Sequence, residues 1–272
     1  MKKWIYNALI VLFAGVLAVS AFFLISYFWE SYRQERRYED LAQLAQVPPR
    51  PTVEQEEDVP PTAATEPALV TVVNPATGQT LQVLPDFAQL YTLNSDLVGW
   101  IKIPGTDIDY PVMQTPDSPD YYLTRNFDRQ DSAYGCLYAR EVCDVFAPSD
   151  NITIYGHHMK DGSMFAQLER YLEKTFWEEN PYIYFDNLTQ KHTYEIMAVF
   201  RTTAVSGEGF AYHSFVNAAG DAEFAEFADT CKDLSLYDTG IHADYGDKLI
   251  TLSTCEYTRK AGRLVVVARQ IA

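Results

Sequence analysis

The sequence predicts a mostly β domain, a barrel or sandwich with few scattered helices, carried behind an apolar N-terminal helix. Three observations support this. Eight short segments rich in Val, Ile, Tyr and Thr recur between turn residues from residue 98 onward. Helical spacing within residues 68–272 is confined to three brief stretches. Nineteen tyrosines among 272 residues favour strands with half-wetted faces over an all-helical bundle.

In chain order, residues 1–29 come first. From Trp4 to Trp29 the chain reads WIYNALIVLFAGVLAVSAFFLISYFW, without a charge. At about 1.5 Å per residue such a helix spans a hydrocarbon layer of roughly 30 Å. Trp4 and Tyr6 at one end and Tyr27 and Trp29 at the other suit the two interfacial belts. A cleaved signal peptide is the rival reading, with Ala18-Val19-Ser20 as its cleavage site, but the apolar run continues past that point. An uncleaved single-pass anchor is therefore expected. Lys2 and Lys3 before the span and Arg33, Arg36 and Arg37 after it leave its orientation balanced on charge alone.

Residues 30–67 are expected to be a juxtamembrane helix and a tether. ESYRQERRYEDLAQLAQ, residues 30–46, reads as a short polar helix leaving the membrane. Residues 47–67, VPPRPTVEQEEDVPPTAATEP, have too few apolar groups to order themselves. The folded domain is expected over 68–272. TVV and QTLQVL flank Asn74-Pro75-Ala76-Thr77-Gly78, a turn by composition. Phe87, Leu90 and Leu93 fall at helical spacing. The strand segments are VGWIKI, DYPVM, GCLYAR, NITIYG, YIYFD, HTYEIMAVFRTT, DKLITLSTC and RLVVVARQI, with helical pattern in SMFAQLERYL and DAEFAEFADTCKDL between them. Such a set indicates a mostly antiparallel barrel or sandwich.

A formal charge of −16 without a basic stripe argues against nucleic-acid binding, which needs a concentrated cationic surface. Four cysteines, Cys136, Cys143, Cys231 and Cys255, are too few and too far apart for a disulfide scaffold or a structural zinc site. Cys136 and Cys143 are expected as ordinary buried thiols, with an extracellular disulfide as the alternative. No cofactor-binding pattern and no metal-binding pattern is visible.

The chemistry-bearing residues sit at two strand ends. Cys255 closes the apolar strand KLITLSTC and is followed by the polar turn EYTRKAG. A thiol needs a nearby cation or imidazole to become a good nucleophile. Seven residues separate KLITLSTC from RLVVVARQI, so a hairpin with its tip near Arg259 would place Arg263 directly opposite Cys255. Their Cβ atoms would lie about 5 Å apart, where a guanidinium can stabilise a thiolate or an oxyanion. Tyr155-Gly156-His157-His158-Met159 follows the strand NITI in the same manner. Adjacent residues on extended chain point opposite ways, so only one of the two histidines can face a given site.

TLSTC, an arginine eight positions on before a run of valines, IYGHHMKDGSMF, LNSDLVGWIKIPGTDIDYPVMQ and the following YYL together resemble a class B sortase over roughly residues 85–272. The resemblance implies an eight-stranded sortase-type β-barrel with an N-terminal helical extension and a helix before the cysteine strand. It implies Cys255 as nucleophile, His157 as general acid/base and Arg263 as the oxyanion-binding arginine. Ser253 and Thr254 are expected to orient arginine or substrate, and the Glu256 backbone N–H to serve the oxyanion; His158 receives no catalytic role. The implied substrates are exported proteins bearing a C-terminal sorting motif cut after Thr, and the acceptor is an amine of peptidoglycan precursor or pilin. That places the domain outside the cell membrane. It also makes residues 74–78 resemble the motifs such enzymes cleave, a tethered pseudosubstrate being the alternative to a turn. Release to water by a peptidase of the same fold and a non-catalytic adhesion module are the competing functions.

Overall fold

A computed structural model describes residues 3–45, 68–75, 77–205, 207–258 and 260–272. The expected tether at 47–67 and the hairpin tip at Arg259 lie outside the described residues. The chain divides into two compact units, Met1–Leu41 and Ala42–Ala272.

The first unit is helical, within α1, Lys3–Ala45. This helix is long and apolar enough to cross a membrane. The polar segment expected as a separate short helix continues it without a break. Glu, Arg, Gln, Leu and Ala dominate there, no Gly or Pro interrupts them before Pro48, and each propagates a helix at little cost.

In the second unit β1 (Val70–Val73) and β2 (Thr80–Val83) form a two-stranded antiparallel sheet. The intervening turn closes through Asn74 N to Gln79 O at 2.7 Å and Gly78 N to Asn74 O at 2.9 Å. The Asn74 side chain accepts from Thr77 N at 3.1 Å and donates to Tyr91 OH at 2.9 Å. Asn74, Thr77 and Gly78 thus have hairpin duties. α2, Pro85–Leu93, begins with proline at its first turn, where no N–H is needed, and buries Phe87, Leu90 and Tyr91. Leu93, expected on that buried stripe, is half exposed.

Eight strands then close a barrel: β3 (Leu97–Lys102), β4 (Asp109–Met113), β5 (Leu137–Ala139), β6 (Asn151–Tyr155), β7 (Tyr182–Asn187), β8 (Thr193–Thr203), β9 (Leu249–Glu256) and β10 (Gly262–Gln270). Their order around the barrel is β10-β8-β7-β3-β4-β5-β6-β9. The fold is mixed, because β4–β5 and β6–β9 pair in parallel. Parallel neighbours need a long crossover. Between β6 and β9 it comprises a 3-10 helix (Ala166–Leu172), α3 (Lys174–Glu179), β7, β8 and α4 (Asp221–Leu234). SMFAQLERYL therefore forms a 3-10 helix, and α3 was not foreseen. β5 is shorter than GCLYAR because Gly135, at φ +58°, belongs to a turn.

α4 is the helix expected before the cysteine strand. Phe224, Phe227, Ala228 and Cys231 at three- and four-residue spacing bury one face against Ala198 and Phe200 of β8 and Val265 and Val267 of β10. Phe215 stacks on Phe227 with ring centroids 4.1 Å apart. That contact ties residues 207–220 to the helix, and with them the 3-10 turn Tyr212–Ser214.

Candidate active site

The parallel pairing of β6 and β9 matters most for the site. It sends both strands toward the same end of the barrel, pairing Asn151 with Leu249 and Tyr155 with Ser253. Gly156 N extends the ladder one step by donating to Ser253 O at 3.1 Å. His157 and Cys255 each lie two residues beyond that last pair, on chains set side by side. Antiparallel to β9, β10 pairs Arg263 with Cys255 directly, so the hairpin register expected from sequence is the one observed. Thiol, imidazole and guanidinium thus come from three chain segments at one barrel end.

β9 is buried on both faces until it reaches Cys255, where it first meets solvent. The other thiols differ. Cys136, Cys143 and Cys231 are buried and not joined by disulfides. Burial pushes the Cys143 thiol up, and raises that of Cys231 still more strongly, which keeps both protonated and inert.

Gly156 has no room for a side chain: a Cβ there would lie 2.4 Å from Leu137 Cδ2 and 2.6 Å from Phe165 Cδ2. This closeness lets His157 emerge tight against the barrel wall. His157 Nε2 lies 2.7 Å from Leu123 O, in the 3-10 turn Tyr121–Leu123. A carbonyl only accepts, so Nε2 carries the proton of the neutral ring and Nδ1 is its basic nitrogen. Arg263 donates through one guanidinium nitrogen to Gly262 O at 2.9 Å and Ala261 O at 3.4 Å. These bonds hold the head at the hairpin end.

Ser253 shares the Cys255 face of β9, is 2% exposed, and bonds through Oγ to Tyr212 OH at 2.6 Å. Thr254 and Glu256 point the other way. Thr254 is 2% exposed, and among the described residues its hydroxyl has no hydrogen-bond partner. The Glu256 carboxylate accepts from Thr258 N at 3.0 Å and Thr258 Oγ1 at 2.7 Å, with Arg201 Nε 3.9 Å away. It braces the turn that follows the cysteine.

Tyr212 was missed from the sequence. Burial raises its hydroxyl pKa, against the Ser253 hydrogen bond and the nearby Arg263 charge, while Cys255 adds to the rise. The residue therefore stands within electrostatic reach of both. Its neighbour His213 is held below the usual imidazole value by burial and then by Arg140 and Arg263. Tyr212 lies forty-one positions before Ser253, in the 3-10 turn Tyr212–Ser214, and no local pattern marks it. Among the described residues no group of three or more His, Cys, Asp or Glu side chains is placed to hold a metal ion.

A closed barrel with a half-exposed thiol, an arginine across its ladder and a histidine at the end of the parallel strand has the equipment of a cysteine acyl-transfer enzyme. The comparisons narrow this class. The Sortase domain family model matches residues 101–271. Sortase B of Staphylococcus aureus is 34% identical over 191 residues, spanning 70% of this chain and 76% of that one. Sortase B of Listeria monocytogenes is 32% identical over 192 residues, with 70% and 76% covered. A solved Staphylococcus aureus sortase B–substrate complex superposes with a TM-score of 0.70 at 28% identity, covering 89% of this chain and 98% of that one. The chain belongs to the sortase family, in its class B, and is a cysteine transpeptidase.

Proposed function

We propose that this transpeptidase cleaves a C-terminal sorting motif of exported proteins after Thr and transfers the new carboxyl end to an amine of peptidoglycan precursor or pilin. The observation that carries the reading is the register that sets Arg263 opposite Cys255 while the parallel β6 end brings up His157.

In this reading Cys255 Sγ attacks the threonine carbonyl carbon, and the S–C bond forms as the thiol proton passes to His157, which becomes the imidazolium. The oxyanion is met by the Arg263 guanidinium and the Glu256 backbone N–H. Ser253, held by Tyr212, orients the arginine or the substrate. Collapse breaks the C–N bond, and protonated His157 gives its proton to the departing amine, leaving a thioester on Cys255. An incoming amine then attacks that thioester and gives its proton to His157, the C–S bond breaks, and His157 returns the proton to the departing Cys255 thiolate. The mechanism needs no cofactor or metal.

Residues 1–29, with the first part of α1, serve in the same reading as a single-pass membrane anchor, with 30–67 as juxtamembrane helix and tether and 68–272 as the catalytic domain outside the cell. The length and apolar composition of α1 support this.

The test incubates the full-length protein in detergent with a randomised peptide library, with and without triglycine, and reads products by mass spectrometry. Cleavage after Thr with triglycine joined to the new carboxyl end is expected. Cleavage elsewhere, or water outcompeting triglycine at millimolar concentration, would overturn the substrate or the transfer step respectively.

A further inference from the structure

The ladder between β6 and β9 ends at Tyr155 and Ser253, with one further bond from Gly156 N. His157 and Cys255 both lie past this zipper, where strand pairing no longer fixes their separation. A second connection spans the gap on the outside. It is made by His158, next to His157, and Tyr257, two residues after Cys255.

Tyr257 OH donates to the His158 carbonyl oxygen at 3.2 Å. The two rings meet edge to face, with centroids 5.1 Å apart and planes at 85°. One tyrosine thus grips both the backbone and the side chain of a single residue. The imidazole is backed from behind, since its Nε2 lies 3.0 Å from Glu169 Oε1 of the Ala166–Leu172 helix. That contact falls out of line for a hydrogen bond and packs the carboxylate against the ring. His158 has only 14% of its side chain exposed, whereas Tyr257 as a residue is 70% exposed. A tyrosine that exposed contributes little to the core, yet its contacts reach the residue beside His157.

We propose that Tyr257 and His158 are positioning residues for transpeptidation, forming a clasp that holds the turn after Cys255 to the strand end carrying His157. The clasp touches no reacting atom. It acts by keeping His157 within proton-transfer reach of the bond between Cys255 and substrate, and so rests on the roles given above to those two residues. Tyr257 does both jobs at once. Its ring opposes the His158 imidazole, and its hydroxyl pins the His158 carbonyl, in the peptide that leads on to Met159.

The test uses the full-length protein in detergent and the peptide that the library shows to be cleaved fastest, with triglycine as acceptor. Tyr257→Ala should lower kcat about tenfold with KM within twofold of the parent, as a small misplacement of an acid/base group does. Tyr257→Phe keeps the ring contact but loses the bond to the His158 carbonyl, and should recover part of that loss. His158→Asn should cost a similar factor, and the double variant Tyr257→Ala/His158→Asn no more than the worse single one, because the two act through one contact. Thermal midpoints close to the parent's are expected throughout, given the exposure of Tyr257. A rise in KM at unchanged kcat would make Tyr257 a substrate contact and overturn the clasp, as would multiplicative losses in the double variant or none at all. His157→Ala is the control on the underlying reading. If it is inactive while Tyr257→Ala is normal, only the clasp fails; if it is active, the assignment of His157 fails first.

Discussion

Replacing Gly156 by alanine tests how the barrel places its histidine. The glycine does not have a positive φ, so alanine meets no backbone strain there, and the stiffer unfolded chain would by itself favour folding by about 0.4–1 kcal/mol. Space decides against it. The added carbon would stand 2.4 Å from Leu137 Cδ2, 2.6 Å from Phe165 Cδ2 and 2.7 Å from Phe165 Cγ. Ordinary carbon contacts need about 3.5–4.0 Å, so roughly 1 Å must be found on each side. Leu137 and Phe165 are both fully buried and cannot swing out. Overpacking of this kind costs about 1–3 kcal/mol, which outweighs the chain-entropy gain. The movement has a direction, because Phe165 N donates to His157 O at 2.9 Å and anything that pushes Phe165 pulls on the histidine. A displacement near 1 Å at an acid/base group lowers kcat by about a hundredfold. Urea denaturation of Gly156→Ala should show the stability loss, and turnover of the library-selected peptide, measured well below the unfolding midpoint, should show the larger loss in rate. Parent-like kcat in a folded but destabilised variant would refute the argument that Gly156 sets the position of His157.

Three further perturbations follow from the same geometry. Tyr212→Phe removes the 2.6 Å bond to buried Ser253 and should cost about 1–2 kcal/mol in urea titrations, with kcat reduced several-fold; unchanged kcat would remove Tyr212 from the orienting role. Arg263→Lys keeps the charge but loses the planar fork that reaches Gly262 O and Ala261 O, and should lower kcat at least tenfold in peptide turnover, whereas full activity would show that a point charge suffices. Asp150 tests stability against pH. Burial pushes its carboxyl up, but bonds from Lys248 Nζ and Ala218 N, both 2.9 Å, outweigh this and leave it below the usual value. Its contribution, about 1–2 kcal/mol, is therefore full above the unfolded value near 3.9 and is lost as pH falls through the lower folded value. Asp150→Asn should be less stable than the parent at pH 7, and the gap should close on acidification; a gap independent of pH would contradict the linkage.

Much of the fold was legible because the strands announce themselves locally. All eight barrel strands match segments with β-branched and aromatic residues bounded by turn residues, mostly within two residues at each end. α4 was readable from Phe224, Phe227, Ala228 and Cys231 at helical spacing. The Cys255–Arg263 pairing was readable for a different reason, since a short hairpin fixes its register by counting from the tip. Parallel pairing was invisible, because β6 and β9 meet only after a long crossover and nothing in either strand encodes the partner. With it went the physical reason why His157 and Cys255 are neighbours, which the family resemblance supplied instead. Tyr212 and Tyr257 were missed because their roles come from distant contacts, to Ser253 and to His158. The helix expected in SMFAQLERYL proved to be 3-10, its buried Leu168 and Tyr171 three residues apart in a turn too short for α spacing to assert itself.

The central claim is that acyl transfer runs through the half-exposed Cys255 and not through any other thiol of the chain. The most direct measurement traps the thioester. The full-length protein is mixed with the selected peptide without acceptor amine, quenched in acid, and digested for mass spectrometry. The peptide acyl group should map to Cys255 alone and disappear when triglycine is added before the quench. Cys255→Ala should carry no adduct, while Cys136→Ala, Cys143→Ala and Cys231→Ala should carry as much as the parent. An adduct on Cys136, Cys143 or Cys231, or turnover that persists in Cys255→Ala, would contradict the account.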